Sequence, residues 1–108
     1  MFLILSDFLE VLMKESKFQS DLIKELHEQY PDAIIMKTDA NYIQGFPDLL
    51  ILKDNKWAAL ECKRSSNAHR QPNQDYYISK LNGMSFASYI SKENKKEVLD
   101  ELQQSFKA

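Results

Sequence analysis

The sequence predicts an α/β sandwich in which helices pack on a mixed four-stranded sheet. Three observations predict it. Apolar residues recur at every fourth position before Pro31 and gather into short runs after it. Two of those runs, in 48–52 and 57–63, flank Lys53-Asp54-Asn55-Lys56, a turn-forming tetrapeptide, and so read as a hairpin. A helical stretch then separates the third run from a fourth, which points to a parallel crossover.

Taken in order, Phe2 to Met13 forms an apolar leader helix with Ser6 or Asp7 near its start. A stronger helix follows, in which Phe18, Leu22, Leu26 and Tyr30 make an apolar stripe with Ile23 beside them; Pro31 ends it. Ser16-Lys17-Phe18-Gln19 reads also as a capping box, which would pair Gln19 with Ser16 and leave Glu15 just outside the helix. Ala33 to Met36 is the first strand. Asp39 to Phe46 is polar, contains Gly45 and forms a loop. Leu49 to Leu52 and Trp57 to Lys63 are the second and third strands. Arg64 to Arg70 is a basic loop. Pro72 suits the first turn of a helix running to about Asn82, with Tyr76, Tyr77, Ile78 and Leu81 inward and Gly83 as its stop. Phe86 to Ile90 is the fourth strand. Asn94 to Phe106 closes the chain, with Val98, Leu99, Leu102 and Phe106 on one face. The expectation is one domain over 1–108: a leader at 1–14, a core at 15–92 and a closing helix at 93–108.

Composition bounds the function. With 108 residues, 44% hydrophobic and 28% charged, the chain has the balance of one globular domain. A single cysteine, Cys62, excludes an intramolecular disulfide and a multi-cysteine zinc site. No basic n-region, no small-residue cleavage site and no long apolar run is present, so the expected location is the cytoplasm, with no membrane partner. The net charge of −2 argues against a strongly basic nucleic-acid binder. The charge is uneven, however. Residues 1–32 carry 3 basic and 7 acidic side chains, residues 33–80 carry 7 and 5, and residues 81–108 carry 4 and 4.

The informative stretch is Gly45-Phe46-Pro47-Asp48, followed after twelve residues by Glu61-Cys62-Lys63. Strand alternation puts Glu61 and Lys63 on one face of the sheet, with Leu60 and Cys62 on the other. Hairpin pairing brings Asp48 beside them at the same sheet edge. Two adjacent carboxylates repel unless a cation lies between them. Oxygen donors of this kind suit a hard divalent cation, Mg²⁺ or Mn²⁺. With a lysine alongside, such a set can hydrolyse a phosphodiester.

On these motifs the sequence resembles the PD-(D/E)XK nuclease superfamily, and within it the small VRR-NUC and Holliday-junction-resolvase-like endonuclease domains. The likeness rests on Glu15 and Gln19, Gly45-Phe46-Pro47-Asp48, Glu61-Cys62-Lys63 and Pro72-Asn73-Gln74, and spans about residues 15–92. It implies a restriction-endonuclease-like αβββαβ core and a metal-dependent deoxyribonuclease, an endonuclease acting on structured or branched DNA. It also implies that Asp48, Glu61 and the backbone carbonyl of Cys62 bind Mg²⁺ or Mn²⁺. Lys63 would position the attacking water or stabilise charge, Gln74 would support Lys63 or touch a phosphate, and Glu15 would bind a second metal or an outer water. Such stand-alone domains are common in phages, which would place the protein in a host cytoplasm.

Arg64, His69 and Arg70, in the loop after the site, are the expected contacts to DNA phosphates. Lys37 flanks the substrate groove, and Gly45 lets a backbone pass close to DNA. Cys62 reads as a small core residue, Trp57 as packing, and His27 and Glu25 as surface. Resolvase-like relatives act as dimers, so a homodimer through residues 2–13 is expected, as is an accessory protein that supplies specificity. Three readings compete with the nuclease: a catalytically silent nucleic-acid-binding module, a protein–protein adaptor, and an RNA-directed nuclease.

Overall fold

Seven elements follow one another in the computed structural model, which describes residues 2–108, with side chains from Asp7 onward. They are α1 (Phe2–Gln29), β1 (Ile34–Lys37), β2 (Leu49–Lys53), β3 (Lys56–Cys62), α2 (Gln74–Met84), β4 (Phe86–Ile90) and α3 (Lys95–Lys107). The protein is α/β, with an open mixed sheet in the order β1-β2-β3-β4. β1, β2 and β3 pair antiparallel, and β3 pairs parallel with β4 across the α2 crossover.

The leader and the first amphipathic helix are one continuous 28-residue helix, which corrects the expected break at residues 13–16. Ser16 therefore lies inside α1 and caps nothing, and Glu15 lies inside the helix as well. The physical reason is that no Gly or Pro interrupts residues 2–29, so nothing stops propagation once the helix has nucleated. Glu10–Lys14 at 3.3 Å and Lys17–Asp21 at 3.2 Å add i,i+4 pairs on both sides of the supposed boundary. Pro31 ends the helix as expected: Tyr30 N–H still donates to the Leu26 carbonyl at 2.8 Å, and the next residue has no N–H to give.

Strand alternation sorts the core into two layers. Leu49, Ile51, Ala58, Leu60 and Cys62 face α1 and α3, where Leu22, Leu26, Val98, Leu99 and Leu102 cover them. Ala59 and Ala87 face α2 and pack with Leu81, flanked by Leu50, Trp57, Tyr77 and Ile78. Of the four residues expected inward on α2, Tyr76 is instead exposed, because its position points away from the sheet. Two expected punctuation marks also move. Gly83 lies within α2, where a Cβ would meet nothing within 4 Å, and the helix stops at Ser85 as the chain turns into β4. A glycine costs a helix about 1 kcal/mol but does not terminate it. Pro72 precedes α2 rather than opening it; Asn73, in the left-handed region at φ 76°, makes the corner.

Gly45, which borders the Asp48–Glu61 opening, also makes a close contact within the chain. Its φ is +88°, and a Cβ there would lie 2.7 Å from Asn73 Cβ and 3.1 Å from the Pro72 carbonyl oxygen. The close approach it permits is therefore between two loops of this chain, 39–47 and 71–73. Gly45→Ala is expected to destabilise the protein by about 1–3 kcal/mol, through backbone strain and that clash. Urea unfolding checks this, and an unchanged midpoint would refute the packing argument.

No helix among the described residues is long and apolar enough to cross a membrane. The N-terminal half of α1 instead leaves Phe8, Leu9, Leu12 and Met13 exposed. This is the segment expected to form a dimer contact; the side chains of residues 2–6 lie outside the described set.

Candidate active site

Asp48 begins where the loop after β1 returns to the sheet. Pro47 is fully buried, and its carbonyl accepts a 2.6 Å hydrogen bond from the Thr38 hydroxyl. Thr38 N–H donates to the Asp48 carbonyl at 2.8 Å. The two bonds fix the entry to β2 and so the direction of the Asp48 side chain. Its Oδ2 accepts the Cys62 N–H at 2.9 Å, while its own N–H donates to Glu61 Oε1 at 3.2 Å. The hairpin thus brings Asp48 and Glu61 together, as the sequence predicts.

Glu61 and Lys63 are both buried, at 5% and 8% exposure. Lys63 lies one residue beyond β3, and its N–H still pairs with the Ile90 carbonyl of β4 at 2.9 Å. Its ammonium donates to Gln74 Oε1 at 2.8 Å and to the His69 carbonyl at 3.1 Å, and lies 3.8 Å from Glu61 Oε2. Gln74, the first residue of α2 and itself buried, donates through Nε2 to Glu61 Oε2 at 3.0 Å. Its Oε1 also accepts the Gln71 N–H at 2.9 Å. One glutamine therefore holds the lysine and the glutamate in a fixed relation. No buried side-chain nitrogen or oxygen among the described residues lacks a partner.

Burial and mutual repulsion act on the acids. Glu61 is pushed up to about 8, first by burial and then by the Asp48 charge, with the Lys63 ammonium opposing. Asp48 is raised as well, chiefly by burial; the Cys62 N–H and Lys63 pull it down, and Glu15 pushes it up. The Cys62 thiol is driven far above its ordinary range by burial and the two neighbouring carboxylates, so it stays protonated and is no nucleophile.

Asp48 lines two openings. The larger, about 470 Å³, is also bordered by Glu61, Gln74, Gln71, Asn41, Gln44 and Gly45. The smaller, about 130 Å³, is bordered by Glu15, Gln19, Ser16, Leu12 and Cys62. Glu15 and Gln19 thus reach the acid cluster from α1, across the smaller opening.

The donor set can be tested for a hard cation. Among the described residues no three His, Cys, Asp or Glu side chains converge at metal-ligand spacing. Mg²⁺ does not require three: it keeps most of its water and is commonly held by one or two carboxylates. Half-buried Asp48 and buried Glu61, repelling each other at an open pocket, with Glu15 across the smaller opening that Asp48 also lines, fit that requirement.

The expected nucleic-acid contacts are spread more widely. His69 contributes its carbonyl to Lys63 while its ring is exposed. Arg70 pairs with Asp75 at 3.1 Å and sits 4.2 Å from the Tyr89 ring centre, so its charge is engaged on the α2 side. The Asp75 carboxyl is held below its usual value, first by the Tyr89 hydroxyl. Arg64 is exposed on the far side of α1 from the larger opening, and Lys37 is exposed at the end of the edge strand β1, opposite Leu49. Gln71 and Gln44 were not marked by sequence; backbone bonds and loop packing carry no residue-type signal. No protein-family model, curated protein or solved structure matches the chain.

Proposed function

We propose that the protein is a metal-dependent nuclease that hydrolyses DNA phosphodiester bonds, on a restriction-endonuclease-like core. The observation that carries the reading is the pairing of half-buried Asp48 with buried Glu61 at the wall of an open pocket, where Gln74 ties Glu61 to the Lys63 ammonium behind it. Purely structural carboxylates at this burial would be expected to carry full ion pairs; here one lysine faces two acids. Asp48 and Glu61 would hold Mg²⁺ or Mn²⁺, with the Cys62 carbonyl and Glu15 as further oxygen donors. The bound cation supplies charge neutralisation at the phosphate and a more acidic water. Lys63 stabilises the charge that develops on the phosphate oxygens. Gln74 and the His69 carbonyl fix the ammonium so that it need not reorganise during reaction.

The test is incubation with supercoiled, linear and branched DNA in Mg²⁺, in Mn²⁺ and in EDTA. Cleavage is expected with either metal and not with EDTA. Cleavage that persists in EDTA would overturn the metal mechanism, and binding without cleavage in either metal would favour a silent module.

A further inference from the structure

A second cleft, of about 250 Å³, lies on the other side of α1 and shares no lining residue with the carboxylate pockets. α1 turns Leu12, Glu15, Ser16 and Gln19 toward the acids, and Lys14, Lys17, Phe18 and Asp21 toward this cleft. Arg64, just past the end of β3, and Lys92, just past the end of β4, complete it. Four cations thus face one acid, in a protein whose net charge is −2. Among the described residues neither Arg64 nor Lys92 has an acidic partner at ion-pair distance. Lys14 and Lys17 pair only with the exposed Glu10 and Asp21 of their own helix, contacts worth too little to hold them back from a stronger anion.

We infer that this cleft is an anchoring subsite for the phosphate backbone of a single nucleic-acid strand. Two features select that ligand. The concentration of positive charge asks for a multiply charged anion. The half-buried Phe18 in its lining offers an apolar surface on which a sugar or base can rest, as single-strand sites do. The assignment rests on the nuclease reading for its substrate class, but its test does not require cleavage.

Binding of a fluorescent single-stranded oligonucleotide is measured by anisotropy in EDTA, across a salt series, for the full chain. Arg64→Glu/Lys92→Glu is expected to weaken binding about tenfold or more, and to reduce the slope of log K against log salt by about 1.4, two backbone contacts at roughly 0.7 each. Lys80→Glu/Lys107→Glu, equal in charge and remote from the cleft, is expected to leave both unchanged. Circular dichroism confirms that each variant is folded. Equal weakening by both pairs would show a net-charge effect and overturn the subsite, as would unchanged binding in the first pair. Full displacement of the strand by inorganic phosphate at constant ionic strength would reassign the cleft to free phosphate. Polyglutamate binding as tightly as the oligonucleotide would reassign it to an acidic protein. Cleft-dependent binding without metal-dependent cleavage would remove the nuclease reading and leave the subsite; cleavage without cleft dependence would do the converse.

Discussion

Asp48→Asn is expected to lower Mg²⁺-dependent DNA cleavage by about a thousandfold or more while leaving the fold intact. The substitution is nearly isosteric, and an amide oxygen can still accept the Cys62 N–H that Oδ2 accepts now at 2.9 Å. What it removes is a negative charge at the junction of the two pockets, where a divalent cation would need it. Single-turnover cleavage of labelled DNA reads the rate, and urea unfolding verifies stability. Lys63→Ala should produce a loss of similar size, with an added stability cost, because Gln74 Oε1 and the His69 carbonyl each lose a buried donor. Near-normal cleavage by a folded Asp48→Asn protein would sink the proposed role of the cluster.

The second large effect is on stability against pH. Glu61 titrates near 8 in the folded protein and at its ordinary value, near 4.5, in the unfolded chain. Between those values the folded protein keeps a proton that the unfolded chain has released. Folding therefore takes up a proton, and stability is full below about pH 4.5 and falls as pH rises toward 8. The raised Asp48 adds in the same direction. The loss between pH 5 and 9 in EDTA should amount to about 2–5 kcal/mol in urea unfolding. Glu61→Gln should abolish most of that slope. The variant should also start lower at pH 5, since its amide would oppose Gln74 Nε2 with a second donor, a mismatch worth about 1–3 kcal/mol. Mg²⁺ added at pH 8 should restore stability to the native chain and not to the variant. A native chain whose stability is flat across this range, or a variant that keeps the slope, would contradict the strained carboxylate pair.

Much of the site could be read in the sequence because its residues lie on one hairpin. A turn at 53–56 dictates that the start of β2 meets the end of β3, and alternation then puts Glu61 and Lys63 on one face. Gln74 follows because α2 must begin near that edge to cross to β4. The reading fails where one signal met a stronger one, near or far along the chain. Ser16 carries a capping signature, yet residues on both sides favour helix and nothing breaks it. Gly45 carries a flexibility signature, but the contact that requires a glycine there is with Asn73, 28 positions away in the chain.

Sequence by itself determined the order of elements, the pairing of the hairpin, the two-sided burial of the sheet and the meeting of Asp48, Glu61 and Lys63. Each follows from local periodicity or from turn chemistry that constrains neighbours along the chain. Only the tertiary structure decided the bridging of Lys63 and Glu61 by Gln74, the loop contact at Gly45 and the separate cationic cleft. That cleft gathers residues from α1 and from just past the ends of β3 and β4. Their proximity depends on how one long helix crosses the sheet, and no pattern within any one segment encodes that.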